Sequence, residues 1–593
     1  MQSAETVLGV LRDRGRRGLP LTELYRQLFN PQLYLLAYGR IYANDGAMTP
    51  GADGETADGT SLAGIGRIIG ALRAERYRFQ PVKRVYIPKK NGKLRPLGLP
   101  SWSDKLVGEV IRLLLEAYYE PRFSDCSHGF RPRRGCHTAL NGVARTWTGT
   151  AWFIESDISD CFGSLDHEIM IRILADKICD NRFLRLLRNM LAAGYLEDWK
   201  WNATLSGAPQ GGVVSPVLSN IYLDRMDKFA ETVLIPECTR GVVRARNPAY
   251  RSAETALRRA RRRGDRAVAR ELRQQLRSLP SMDPRDPGYR RLRYVRYADD
   301  ALLGFTGPKA EAEEIRTRLA QFLRQDLKLR LSEDKTLITH ARTQPAKFLG
   351  YEIIVAHDDR KTTRGHRWLN GTVQLRVPKT VIKAKCAPYL RRGKPALRPE
   401  LKDRDDHAII SIYGAEYRGL VQYYLLAIDV WRLNRLEWAA KTSMLKTLAW
   451  RHRTTVTKIA SKHKAVIATP HGPRRCFEAR IERNGRKPLV ARFGGIPLQR
   501  RHTAVIDDRQ PPLATTRRKE LITRLLAGWC ELCEQRATTQ VHQVRKLADL
   551  TRPGQPQPPW AQLMARKRRK TLVVCTPCHH SIHARQPATT PTQ

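Results

Sequence analysis

Acidic residues are scarce in this 593-residue chain: 57 Asp and Glu face 106 Lys and Arg, a formal net charge of +49. Solubility needs far less. The natural counterpart of such a surplus is a polyanion, because each neutralised phosphate releases condensed counterions. A basic structural protein without chemistry fits the charge as well. Long apolar runs are missing too: no stretch reaches the roughly 18 residues of a membrane span. The N-terminal MQSAETVLGVLRDRGRRG lacks the apolar segment and cleavage site of a signal peptide. Both absences predict a chain with no membrane association. Cysteine is sparse for the length, 11 in all, which excludes a secreted disulfide scaffold. Seven of these (Cys126, Cys136, Cys161, Cys179, Cys238, Cys386, Cys476) are scattered and expected as buried thiols in a reducing, cytoplasmic compartment. No internal repeat is evident.

What is present suggests several domains, since a chain of this length exceeds one ordinary core, and its 41% hydrophobic content supports folding. PVKRVYIPKKNGKLRPLGLP, from residue 81, reads as strand, Asn-Gly turn, strand. SDKLVGEVIRLLLEAYYE has helical periodicity, and the strand AWFIESDI runs towards a helix around HEIMIRILADKI. An amphipathic helix is expected from Val217 to about Ala230. Residues 240 to 296 hold eighteen arginines against five acidic residues, around a helical stretch that reads as a nucleic-acid-facing insertion or a solvated charged helix. Residues 380 to 465 look mostly helical, 470 to 525 basic and loop-rich, and the terminal ARQPATTPTQ disordered.

YVRYADDALLGF, residues 294 to 305, places two adjacent aspartates inside an apolar run. Unpartnered buried carboxylates are expensive, and two together repel. Neighbouring side chains of a regular strand point to opposite faces, so the pair predicts a hairpin with Asp299 and Asp300 at or near its tip. Converging carboxylates suit Mg²⁺. Asp157, at the end of another apolar strand, would complete a two-metal site whose ions sit about 3.5–4 Å apart across a transferring phosphoryl group.

In chain order, SDISDCFGSLDH, GAPQGGVVSPVLSNIYLDRMD, YADD, LSEDKT and FLGYEI resemble the motif series of reverse transcriptases. LFNPQLYLLAYGRIYANDGAMTPGADG, PSWSDKLVGEVIRLLLEAYYEPRFSDCSHGFRPRRGCHTAL and RYVRYADD resemble, more narrowly, proteins encoded by bacterial group II introns. The similarity runs from about residue 20 to 585. It implies catalytic, Mg²⁺-binding roles for Asp157, Asp299 and Asp300. It further implies that Phe162 stacks under the incoming sugar and excludes a 2′-hydroxyl, that Gln210 contacts the nucleotide, and that Arg95 grips its triphosphate. Lys335 is implied near the catalytic aspartates, while Lys89 and Lys90 could also reach phosphate. IISIYGAEYRGLVQYYLLA resembles the helical thumb called domain X, with Arg418 as an RNA contact.

Near the C-terminus, CELC (Cys530, Cys533) and CTPC (Cys575, Cys578) have the spacing of a closed four-thiolate Zn²⁺ site. The surrounding arrangement resembles an HNH endonuclease, which implies that His542, His579 and His583 hold a divalent ion. His579 and His583 are four apart, on one helical face. Most such modules carry the water-activating histidine directly after the position of His542. Here that residue is Gln543, which cannot act as a base near neutral pH, and Thr571 occupies the usual asparagine position.

The resulting expectation is an α+β multidomain protein: a right-hand polymerase (fingers and palm), a helical thumb, a basic linker and a small zinc-stabilised HNH module. Residues 1–80 are assigned to an N-terminal extension and first reverse-transcriptase block, and 81–365 to fingers and palm with a basic insertion at 240–293. Residues 366–470 are assigned to the thumb, 471–525 to a DNA-binding region, and 526–593 to the nuclease and tail. The resemblance implies RNA-directed DNA polymerase, maturase and DNA-nicking activities. Implied partners are group II intron RNA, target DNA and dNTPs, in a bacterial cytoplasm near the nucleoid, and a homodimer stays open. Two rivals remain: a reverse transcriptase of another lineage, such as a retron enzyme, and an RNA-binding maturase whose polymerase has decayed.

Overall fold

A computed structural model describes residues 2–584 except 89–91, 93, 198–199, 203–206, 208–211, 359–361, 364–365, 368–369, 471, 484–485, 505–515 and 551–556. Gln210, Lys89 and Lys90 therefore lie outside the described residues. The centre is a four-stranded antiparallel sheet ordered Arg291–Tyr297, Asp300–Thr306, Trp152–Asp157, Ile338–His340. Its inner strands read FIESD and DALLGF: Phe153, Ile154 and the ALLGF run are buried, and the acidic residues Asp157 and Asp300 fall at the paired ends. The helix Trp102–Tyr119 is buried along almost its whole length, packed against other helices, and is capped by Ser101, whose hydroxyl accepts from the Asp104 backbone N–H. One large core joins that helix to the N-terminal helices Ala4–Arg16 and Pro31–Ile41 and to Ser215–Phe229.

The expected hairpin is there as Val82–Pro88 and Leu94–Leu99, extended by Tyr195–Glu197 and Lys200–Asn202. The basic insertion forms two helices, Pro248–Arg262 and Arg266–Ser278, whose small shared core is Leu257, Ala260 and Ala269. Most of its arginines face solvent, but Arg290 and Arg296 are buried on carboxylates. A second core holds the helices Lys379–Cys386, Asp406–Tyr423, Asn434–Arg451 and Val456–His463.

Two expectations are corrected. The segment after residue 463 is not loop-rich: Lys464–Thr469, Gly472–Arg483 and Arg486–Gly494 form an antiparallel sheet. Its exposed positions mix Lys464, Arg475, Arg480, Lys487 and Arg492 with Val466, Ile481, Leu489 and Val490, so no clean period-two alternation shows and the stretch reads as a basic loop. The sheet packs on Asp406–Tyr423 so closely that a Cβ at Gly414 would fall 2.1 Å from the Arg492 carbonyl oxygen. Nor does the cysteine–histidine module stand alone from residue 526. Its strands Thr539–Gln543 and Thr571–Cys575 are joined by Thr60–Ser61, in register Thr60 to Val541 and Ser61 to Gln540. The preceding helix Thr516–Ala527 sinks Leu521 and Leu525 into the large N-terminal core. Among the described residues, no helix is long and apolar enough to cross a membrane.

Candidate active site and metal centres

Asp157 ends its strand directly opposite Asp300, the first residue of the neighbouring antiparallel strand. Directly opposed residues share a face, so both carboxylates project to the same side of the sheet, a pairing that repels unless a cation intervenes. Asp299 and Ala298 form the two-residue turn between Tyr297 and Asp300, which themselves pair. Burial, the hydrogen bond to Asp157 and the Asp299 charge push the Asp300 carboxyl up to about 7. Burial also raises Asp299. The Lys335 ammonium, on the exposed LSEDKT loop, donates to Asp157 Oδ2 at 2.6 Å. Arg95 lies within electrostatic range of Asp299. Phe162 sits half-buried on the short helix Cys161–Ser164, its ring 6.4 Å from that of Phe130 and edge-on to it.

The turn carries strain: Ala298 has φ of +56°, a region that costs a non-glycine residue about 1–3 kcal/mol. A buried scaffold, not apparent in the sequence, holds it. Arg296 is fully buried and donates from Nη1 to the Ala298 carbonyl at 2.7 Å. Its other nitrogens fork onto Asp227 at 2.7 and 2.5 Å, and Nη2 also donates to Ser127 Oγ at 2.8 Å. Tyr294 donates its hydroxyl to the same Asp227 carboxylate at 2.7 Å. From the far side, a Cβ on Gly129 would come within 2.3 Å of the Ala298 nitrogen, so the HGF segment presses backbone to backbone against the turn. The final Asp of LDRMD and the Arg of VRYADD were the available signals. Charged residues, however, read as surface unless their burial is known.

Two clusters elsewhere have ligating atoms all within 4.8 Å of one another: Cys530, Cys533, Cys575 and Cys578, and Asp58, His542, His579 and His583. In the first, burial would raise the Cys530 thiol, but backbone N–H groups of Cys533, Cys575 and Leu532 bring it down to about 7. Amides aimed at sulfur favour thiolate, the form that binds metal. In the second, Thr539–Gln543 positions His542 and the helix Thr576–Ala584 carries His579 and His583. Asp58, which sequence reasoning missed, reaches in from the N-terminal loop. Gln543 points away from the histidines: its Nε2 donates to the Tyr42 carbonyl at 2.7 Å, and its backbone N–H to Asp58 Oδ1 at 2.7 Å. Thr571 pairs across the strands with Gln543 and is buried.

Residues 87–242 and 266–353 match the model for reverse transcriptase (RNA-dependent DNA polymerase), 374–480 type II intron maturase, and 530–579 the AI2M/AI1M-like HNH endonuclease. The chain is 38% identical to group II intron-encoded protein LtrA of Lactococcus lactis subsp. cremoris, over 95% of its length and 96% of that protein's. It belongs to the group II intron-encoded proteins. An uncharacterized 91 kDa protein in the cob intron of Schizosaccharomyces pombe is 31% identical over 95% of this chain and 70% of its own length. Protein YkfC of Escherichia coli is 34% identical over 57% of this chain and 84% of its own. This group II intron-encoded protein is thus a reverse transcriptase and maturase with an HNH-like endonuclease domain.

Proposed function

We propose that Asp157, Asp299 and Asp300 are the nucleotidyl-transfer centre of this polymerase, the four-stranded sheet being its palm. The observation that carries the reading is the in-register opposition of Asp157 and Asp300 on one face, beside the strained turn. Hard oxygen donors in mutual repulsion fit Mg²⁺, which when bound would offset their charge and that of the triphosphate. The chain's own contribution is placement. The sheet Val82–Leu99 acts as fingers, with Arg95 directed to the triphosphate as a forked donor. Lys335 holds Asp157 in place until a nucleotide arrives. Phe162 faces the sugar. The primer 3′-oxygen bonds to the α-phosphorus as the bond to the β-phosphate oxygen breaks, and pyrophosphate leaves.

The helices from Lys379 to His463 serve as the thumb, and with the basic insertion bind intron RNA through phosphate and shape. Arg418 is exposed on that surface. The four cysteines hold structural Zn²⁺, and the three histidines a divalent ion of the nuclease that nicks target DNA. The charge keeps the protein on nucleic acid in the cytoplasm. On poly(rA)/oligo(dT) with Mg²⁺ and dTTP, wild type should extend the primer and Asp299→Ala should not, whereas equal incorporation would overturn the assignment. A nick in duplex DNA made by the protein–RNA complex should disappear with His579→Ala.

A further inference from the structure

The nuclease site contains a carboxylate from the opposite end of the chain. Asp58 lies in the loop between the helix Pro31–Ile41 and the strand Thr60–Ser61, 484 positions before His542. Its Oδ2 is 2.7 Å from His583 Nε2 and 3.2 Å from His579 Nε2, and its Oδ1 is 3.1 Å from His542 Nδ1. His579 and His583 Nε2 are 3.3 Å apart. Four nitrogen and oxygen donors thus converge on one point. His542 supplies a second observation: it is 1% exposed, yet neither of its ring nitrogens makes a hydrogen bond. Its Nδ1 lies 3.1 Å from Asp58 Oδ1 without hydrogen-bond geometry, and its ligating atom is within 4.8 Å of those of Asp58, His579 and His583. A buried, unbonded imidazole costs stability unless something else occupies its lone pair.

The loop is built to keep Asp58 there. Gln543 donates its amide to Asp58 Oδ1, the Gly59 amide donates to the Val541 carbonyl at 2.9 Å, and Thr60–Ser61 extends the nuclease sheet. Tyr42, at the end of the helix Pro31–Ile41, receives the Gln543 side chain. The position where most HNH modules carry a histidine is therefore used here as a clasp on the N-terminal region.

We propose that Asp58 is a ligand of the nuclease ion, so that this site is a three-histidine, one-carboxylate centre shared between the two ends of the chain. The inference rests on the nuclease reading above. It has a structural corollary: loading the ion staples the loop 51–60 to the module.

The test uses full-length protein with zinc already in its thiolate site, titrated with Mn²⁺ while deuterium uptake is followed. In wild type, Mn²⁺ should slow exchange in peptides covering 51–61 and 576–584 at one midpoint. In Asp58→Asn, protection of 51–61 should be lost, and the midpoint for 576–584 should rise at least roughly ten-fold, the lower range for losing even an outer partner of a ligand. Asp53→Asn, in the same loop, should leave both unchanged. Retained zinc content and primer extension show that the variant is folded. If 576–584 responds to Mn²⁺ with the same or a lower midpoint in Asp58→Asn, Asp58 is only a counter-ion of the histidines and the proposal fails. If Mn²⁺ protects neither peptide in wild type, the underlying metal reading fails instead.

Discussion

Arg296→Met is the most informative perturbation of the proposed polymerase centre, because it separates the stability of the scaffold from the geometry of the turn. The guanidinium and Asp227 are both 0% exposed. Removing the cation leaves a buried carboxylate with only the Tyr294 hydroxyl as partner, and breaking a buried pair in this way costs about 3–5 kcal/mol. Methionine fills much of the volume, so little of that loss comes from a cavity. Each 1.4 kcal/mol is a factor of ten, so hydrogen exchange across residues 291–306 should accelerate roughly 10²- to 4 × 10³-fold if opening is local. The double variant Arg296→Met, Asp227→Asn keeps an acceptor for Tyr294 but removes the orphaned charge. It should recover most of the protection. Primer extension should not recover, because the Ala298 carbonyl has lost its donor in both variants, and the packing of Gly129 alone leaves a non-glycine residue at φ of +56° without that hydrogen bond. Two results would refute this reasoning. Exchange in the single variant equal to wild type would mean the pair is not the buried scaffold described. Full polymerase activity in the double variant would mean that the Arg296–Ala298 bond does not set the position of Asp299.

Three further outcomes follow from other parts of the molecule. Replacing Phe162 with Val should raise the ratio of ribonucleotide to deoxynucleotide incorporation by roughly 10–200-fold, the range one altered apolar contact gives a pocket; an unchanged ratio in competition assays removes the aromatic from the sugar site. His128 is held neutral, its pKa lowered to about 4 by burial and by Arg134 and Arg131. Its folded value lies below its unfolded value, so the unfolded chain binds the extra proton, and stability is lost as pH falls from about 6.5 towards 4, by about 2 kcal/mol at pH 5. His128→Asn should flatten that part of the thermal-stability profile, and a profile parallel to wild type would show that another group titrates. Cys578→Ser, or removal of zinc from the wild type with a zinc-selective chelator in excess Mg²⁺, should increase protease sensitivity of the region after residue 526 and abolish nicking, while primer extension continues; intact resistance after zinc loss would show that the small core of Trp560, Met564, Leu572 and Ile582 suffices.

How far the sequence led depended on the range of the interaction. Strands around FIESD and YADD were legible because alternation and turn chemistry are local, and the ordered motif series was specific enough to identify the family. The cysteine pairs were legible from spacing alone. Three features were not. The strands from Lys464 to Gly494 mix arginine and lysine with Val466, Ile481, Leu489 and Val490 at their exposed positions, which hides a period of two. Arg296 and Asp227 look like any charged residues, and only the fold shows that they are buried against each other. Asp58 sits in GADGETADG, a stretch with all the marks of a solvated turn, and no local pattern could connect it to histidines nearly five hundred positions away.

That connection changes how the substitution at Gln543 is understood. Read alone, glutamine in place of a histidine base suggests a weakened nuclease. In the structure its amide side chain is committed to Tyr42, and its backbone to Asp58, so the residue couples the nuclease sheet to the N-terminal region that also packs on the polymerase core. A histidine at 543 would have to fit its rigid ring into the buried space that the flexible glutamine side chain fills in order to keep a bond to the Tyr42 carbonyl. Gln543→His should therefore loosen residues 51–61 in hydrogen exchange even if it supplies a base. A gain in nicking with an undisturbed loop would show that the clasp is dispensable, and that glutamine at this position does no more than weaken the nuclease.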